Sequence, residues 1–214
     1  MGDYMKKFSI IFDLDGTLWD SSETTTMAWK NILFNYSNKI DVSEKNMREI
    51  AGKTIDEISN ILLSNIDDKE EKNILDKCLN EENNMIRKNG GKLFDSVIET
   101  LDLLNKEYDL YIVSNCQSGY IESFLDYYNL NKYFIDIECN GNNNKSKKDN
   151  ISLIIQRNNI EKCCYVGDTN NDSISAKENN IPFIYASYGF ENVNYYDEII
   201  YNFSELIDVI KKIS

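Results

Sequence analysis

Short, continuous apolar runs recur along the chain: FSIIF (8–12), LYIVS (110–114), FIDIEC (134–139), CCYVG (163–167) and PFIYAS (182–187). They are rich in β-branched and aromatic residues and too continuous for half-exposed strands, so they predict strands buried on both faces. Between them, 96–107, 119–129, 149–159 and 172–179 carry apolar residues at helical spacing. A last helix is predicted over 204–213, capped by Ser204. Strand–helix–strand alternation predicts an α/β fold with a parallel sheet.

One stretch breaks the alternation. From about Asp20 to Gly91 the pattern is helical only. Thr54 and Glu57 form a capping-box pair ahead of ISNILL. Asp67 and Asp68 precede a long helix that stops at NGG (89–91), where glycine ends helices readily. A helical insert of residues 19–91 is therefore expected between the first strand and the rest of the sheet, with 1–18 and 92–214 forming the core domain. Its AGKTIDE segment (51–57) predicts a turn between two helices, with Lys53 its lone cation, placed to meet an anionic substrate. Trp29 has the spacing of an insert-core residue, whereas Trp19 fits either core or substrate contact. The Asn-rich run NGNNNKSKK (140–148) predicts a polar loop.

Composition narrows the function. The 214 residues suffice for one sizeable core, or a core with a smaller insert. A net charge of −13 and the lack of a basic stripe argue against nucleic acid and anionic membrane as partners. No apolar run is long enough to span a membrane, and MGDYMKKF lacks a signal-peptide core. Lys6 stands where N-myristoylation of Gly2 would need Ser or Thr. The five cysteines, odd in number and without C-x-x-C spacing, predict reduced thiols in a cytoplasm, with Cys163 and Cys164 in a core strand. There is no histidine. Acid–base work would thus fall to carboxylates, Lys, Tyr or Cys.

Ligands of a parallel sheet bind beyond the carboxyl ends of its strands. Here strand 8–12 runs into Asp13 and Asp15, followed by Gly16 and Thr17. Strand 110–114 ends in Ser114 and Asn115, and strand 163–167 in GDTNND, with Asp168 and Asp172. Four carboxylates around one crevice repel one another unless a cation is bound. Oxygen ligands without His or Cys suit Mg²⁺, which leaves coordination places for a substrate phosphate. A carboxylate can attack phosphorus and split hydrolysis into two easier steps. Asp13, directly off the strand, is the expected nucleophile, and Asp15 the acid and base for the leaving oxygen and the water. Ser114 can donate to a phosphoryl oxygen, and Gly16 and Thr17 allow the tight turn that lets backbone N–H groups reach the phosphate. A lysine from the Asn-rich loop can neutralise the developing charge, and Lys145, Lys147 and Lys148 are the candidates. Asp172 could also be an N-cap for the helix that follows, a role compatible with supporting the metal.

DLDGT, VSN, a loop lysine and GDTNND, in that order over residues 13–172, resemble the motifs of the haloacid dehalogenase-like hydrolases. The likeness is to capped phosphatases of the phosphoglycolate phosphatase and β-phosphoglucomutase type. It implies a Rossmann-like core with a helical cap inserted after the first motif. It also implies Mg²⁺ held by Asp13, the main-chain carbonyl of Asp15 and Asp168, with Asp172 supporting. Asp15 favours phosphoester chemistry, since dehalogenating and phosphonate-cleaving members lack an Asp there. The third motif departs from Lys-Pro-x-Pro. SKKDNI fits the Ser-Lys-Gly-x-x-Ile variant through Lys147, while Lys145 fits the proline spacing; Lys147 is favoured. The expected protein is a cytoplasmic monomer or weak homodimer that hydrolyses a small phosphorylated metabolite through an aspartyl phosphate. A phosphomutase of the same fold, or a catalytically idle binding module, are the rivals.

Overall fold

The computed structural model describes residues 8–34, 40, 42–64, 66 and 68–214, with the backbone alone at 68 and 69. The Gly2 and Lys6 positions and Asp67 lie outside the described residues.

Six parallel strands build the sheet: β1 (Ser9–Phe12), β4 (Asp109–Ser114), β5 (Phe134–Cys139), β6 (Cys163–Gly167), β7 (Phe183–Ala186) and β8 (Glu198–Ile200), in the order β5-β4-β1-β6-β7-β8. The five expected strands are present. β8 is an addition, a three-residue edge strand too short to carry a pattern. β1 is central, with Ser9 level with Asp109 of β4 and with Cys163 of β6.

The alternation of side chains across a strand sorts the core into two layers. Ile10 and Phe12 point to one face, where they pack with Leu110, Ile112, Cys164 and Val166 against α5 (Val97–Leu104), α6 (Tyr120–Tyr128) and α10 (Leu206–Ile213). Ile11, with Tyr111, Val113 and Tyr165, points to the other, against α8 (Lys147–Arg157) and α9 (Asn170–Glu178). Both faces of the inner strands are covered, which is why they read as apolar runs; β5 departs from the expectation, since it lies at the sheet edge and leaves Ile135 exposed. Trp19 belongs to the first layer: it is fully buried, with ring-centroid distances of 4.8 Å to Phe124 and 5.9 Å to Tyr120.

The helical insertion comprises α1 (Ser22–Leu33), α2 (Glu44–Ile50), α3 (Ile55–Leu62) and α4 (Asp68–Asn89). It has its own apolar cluster, including Ala28, Trp29, Leu33, Met47, Ile50, Leu63, Ile74 and Cys78. The Thr54–Glu57 capping box forms as expected. α4 ends at Gly90, which adopts φ +68 and returns its N–H to Ile86 O at 2.8 Å. Where the chain leaves and re-enters the sheet, β2 (Trp19–Asp20) pairs antiparallel with β3 (Lys92–Leu93).

Two local expectations are corrected. Ser204 does not cap α10. A 3₁₀ turn, Phe203–Glu205, precedes that helix, and the Ser204 hydroxyl donates instead to Asn202 Oδ1. The Glu205 carboxylate closes this turn by accepting from Tyr201 N and Asn202 Nδ2, at 2.8 and 2.6 Å. The 140–148 run is not all loop. It holds a single helical turn, α7 (Asn140–Asn143), ended by Asn144 at φ +56, and the first residues of α8. Asn tolerates the left-handed conformation that stops a helix, and Ser146 caps α8 by accepting from Asp149 N.

Candidate active site

The carboxyl ends of β4, β1 and β6 lie side by side, so the three polar strand ends meet in one crevice. The Asp13 amide still extends the sheet by donating to Val166 O at 2.8 Å. Its side chain, anchored to the central strand, is buried with those of Asp168 and Asp172, and one oxygen from each lies within 4.8 Å of the others. Lys147, the first residue of α8, enters the cluster with a buried ammonium. Its Nζ lies 2.9 Å from Asp13 Oδ1 and 2.6 Å from Asp172 Oδ1. Lys145 and Lys148 are exposed.

Asp172 is committed to positioning. Its Oδ2 accepts from the backbone of Asp168 and Thr169 and from the Thr169 hydroxyl at 2.8–3.1 Å, while Oδ1 takes the lysine. The N-cap of α9 is therefore Thr169, and Asp172 is the third helical residue of a capping box. Asp168 accepts from Phe190 N at 2.8 Å and from the Thr17 hydroxyl at 3.3 Å. Asp13 differs. Among the described residues, neither of its oxygens has a hydrogen bond of good geometry, and only the Lys147 ammonium is near. A buried carboxylate with a single ammonium neighbour and two further carboxylates close by is costly, and an oxygen-binding cation between Asp13 and Asp168 would offset that cost. The donor set fits a hard divalent ion.

Electrostatics agree with this reading. Burial, and then the Asp172 charge, push the Asp13 carboxyl up to about 7 despite Lys147. Burial, Asp172 and Asp13 hold Asp168 well above the usual carboxylate range. Burial pulls Lys147 down, but Asp13 and Asp172 outweigh it and keep the amine above its ordinary value.

Gly16 makes the approach possible. It adopts φ +81, and a Cβ there would collide with the Asp168 carboxylate. Its N–H donates to Trp19 O, and the Thr17 N–H to Leu14 O, so both amides are used inside the turn and are not the phosphate donors expected of them.

The turn also separates the two aspartates. Asp15 faces away from the acidic cluster into a small chamber under the insertion. There its Oδ1 accepts from the Ser21 hydroxyl at 2.7 Å and the Tyr120 hydroxyl at 2.8 Å. Burial raises its pKa to about 6, against the lowering effect of these two donors. Ser114 lines the same chamber. The Asn115 amide instead donates to Gly52 O at 2.8 Å, joining the core to the turn of the insertion, and its buried Oδ1 has no partner among the described residues. Ala51, Gly52 and Lys53 stand between the inner chamber, with about 60 Å³ of free space, and an outer mouth of about 440 Å³.

Tyr120, Ser21 and Glu82 are not apparent as site residues in sequence. Tyr120 and Ser21 carry no local signal, since their partner is 105 and 6 residues away and is set by how α6 and α1 pack. Glu82 has one: Ile74, Cys78, Glu82 and Ile86 form a buried i, i+4 stripe on α4, and a carboxylate in an apolar stripe marks a polar requirement. Trp29 is part of the insertion's core, as expected, and also lines the chamber.

Comparisons with known proteins agree with this architecture. A phosphoglycolate phosphatase of Vibrio parahaemolyticus is 25% identical to the chain, covering 94% of this chain and 95% of that protein. One of Shigella boydii is 26% identical, covering 96% and 88%. The crystal structure of a predicted phosphoglycolate phosphatase from Haemophilus somnus shares the fold with a TM-score of 0.81 at 20% identity, over 98% of this chain and 100% of that one. The model of the haloacid dehalogenase-like hydrolase family matches residues 10–186. With the parallel sheet, the helical insertion after β1 and the buried aspartates at the strand ends, that match makes this chain a member of the haloacid dehalogenase-like hydrolases.

Proposed function

We propose that the chain is a Mg²⁺-dependent phosphatase that hydrolyses a small phosphate monoester. The observation that carries the reading is the Asp13 carboxylate: buried, unpaired save for Lys147, and at the end of the central strand. Asp13 attacks phosphorus, forming an acyl phosphate as the bond to the leaving oxygen breaks. Asp15 gives that oxygen its proton and then takes one from the water that releases inorganic phosphate. A carboxyl near 6 can serve in both directions close to neutral pH. Lys147 offsets charge on the transferring group, held in place by Asp172, and Ser114 donates to a phosphoryl oxygen. Gly16 and Thr17 shape the turn around Asp168. Residues 19–91 act as a cap whose turn closes through the Asn115–Gly52 bond, with Lys53 at the neck, keeping bulk water out. Asp13, Asp168 and the Asp15 carbonyl would hold Mg²⁺, which supplies positive charge to the phosphoryl oxygens.

The direct test is release of inorganic phosphate from phosphorylated metabolites and p-nitrophenyl phosphate, with Mg²⁺ or with EDTA. Mg²⁺-dependent release is expected. Silence from folded, Mg²⁺-loaded protein overturns the reading, and an isomerised sugar phosphate without phosphate release points to a mutase.

Stability gives an independent check on the metal. Asp13 is raised from 3.8 to about 7 in the folded chain, and Asp168 moves the same way. The native state therefore holds protons that the unfolded state releases, and metal-free stability falls as pH rises from about 4 through 7. Mg²⁺ should raise Tm more at about pH 8 than at about pH 5. Equal shifts at both pH values would remove Asp13 and Asp168 as ligands.

Tyr120→Phe removes one donor from the Asp15 carboxylate and leaves the ring packing. Loss of a hydrogen bond to the charged form pushes Asp15 above about 6. The limb of the kcat/KM–pH profile that reports Asp15 should move to higher pH, with a roughly three- to tenfold loss of rate at neutral pH. An unmoved profile would show that Tyr120 does not position the acid.

A further inference from the structure

The inner chamber has one wall from the sheet and one from the insertion. Asp15, Ser114, Gln117 and Tyr120 come from the first, and Trp29, Met47, Ile50, Ile58, Leu79 and Glu82 from the second. Leaving-group chemistry takes place at Asp15, so whatever fills this chamber is the alcohol half of the ester. Most of its insertion wall is apolar. Ser21, Ser22, Thr25 and Lys53 add polar groups to it, and Glu82 is its one acid, held firmly: Oε2 accepts from Trp29 Nε1 at 2.7 Å and Oε1 from the Thr25 hydroxyl at 3.2 Å. The Gln117 side chain is a third hydrogen-bonding neighbour; a carboxylate can accept about four hydrogen bonds, so acceptor capacity remains on a group that lines the cavity.

A solely structural carboxylate could serve Trp29 and Thr25 from anywhere in the insertion's core. This one instead lies at the cavity wall, close enough to Asp15 for the two charges to act on each other. Burial raises Glu82 to about 7, so above neutral pH a second anion brought into the chamber would face two carboxylates, Asp15 and Glu82, against the one cation, Lys53. A hydroxyl or an ammonium would find an oriented acceptor. The free space, about 60 Å³, is on the order of four waters or a short alcohol.

We infer that the inner chamber is a leaving-group subsite in which Glu82 selects short alcohols bearing a hydroxyl or ammonium group and rejects those bearing a carboxylate. The inference rests on the phosphatase reading and deepens it. It sets this chain apart from its curated relatives, whose names specify phosphoglycolate, an ester with an anionic leaving group. Glu82 is a specificity residue here, not a catalytic one.

The test compares kcat/KM for glycerol 3-phosphate, ethanolamine phosphate and phosphoglycolate on the full chain with Mg²⁺ at about pH 8, where Glu82 is ionised. The first two should exceed phosphoglycolate by about tenfold or more. Glu82→Gln keeps the shape and an acceptor for Trp29 but removes the charge, and should shrink that ratio by about tenfold. A purely structural role would slow all three esters by one common factor, which overturns the inference. So does wild-type protein that prefers phosphoglycolate, a result that stands even if the variant does not fold. If no ester releases phosphate, the phosphatase reading fails alone: titration calorimetry of the three esters against the wild-type protein then reads the subsite. Tighter binding of the two donor-bearing esters supports it, and equal or reversed affinities overturn it.

Discussion

Asp13→Asn is expected to abolish phosphate release, with a loss of at least about 10⁴-fold in kcat, because an amide oxygen is a poor nucleophile and no neighbouring carboxylate can replace it. Asp172 has both oxygens committed to Lys147 and to the start of α9, and Asp168 is tied to Phe190 and Thr17. Asp15 faces the other way, towards Ser21 and Tyr120. The fold should survive. The backbone bond from Asp13 N to Val166 O needs no side chain, and the change takes one charge out of a crowded acidic cluster. In the absence of metal, the Tm of the variant should equal or exceed that of the wild type above neutral pH, where Asp13 would otherwise be forced to ionise. Phosphate release and thermal denaturation together decide the matter. Activity near wild type would remove Asp13 as nucleophile, and a large fall in Tm would mean that its side chain holds the fold.

Lys147→Ala is the second large effect, and unlike Asp13→Asn it should damage both activity and stability. Its ammonium is fully buried and touches Asp13 and Asp172 at 2.9 and 2.6 Å. Removing it leaves buried carboxylates without their cation, a change that costs about 3–5 kcal/mol in comparable pairs. Turnover should drop by about 10³-fold, the scale seen when one charge-stabilising group is lost from an active site. Lys145→Ala is the matched control. Lys145 is exposed and two residues short of the cluster, so its loss should leave Tm and kcat close to wild type. Should Lys145→Ala be the inactive variant, the assignment of the motif lysine reverses. Lys147→Met separates the two roles: it refills much of the volume, so recovered Tm without recovered activity would locate the catalytic part in the charge.

Much of this arrangement is legible in the order of residues. The inner strands announce themselves because burial on both faces demands continuous apolar runs, and the polar ends of β1, β4 and β6 follow their runs directly. The insertion shows as a break in a regular alternation. The short elements do not show, for a physical reason. β2, β3 and β8 span two or three residues each, too few for a period to form, and their pairing depends on what the tertiary structure places beside them. Ser204 has the form of a helix cap, but Glu205 closes the preceding turn in its stead. Asp172 has the form of a cap as well, but the helix begins earlier, with Thr169 accepting from the Asp172 N–H.

The sequence by itself determined the fold class, the polar strand ends, and the places of Asp13, Asp15, Asp168 and Asp172 at them. These are local properties: an apolar run and the residues that end it are written together in the chain. Only the tertiary structure decided which lysine meets Asp13, since Lys145 and Lys147 differ by half a turn of chain and the choice depends on where Ser146 starts α8. Only it turned Asp13 towards Asp168 and Asp15 towards Tyr120, and brought Glu82 to the wall of the Asp15 chamber. Those contacts join residues far apart in the chain, and no local pattern encodes a distance that packing sets.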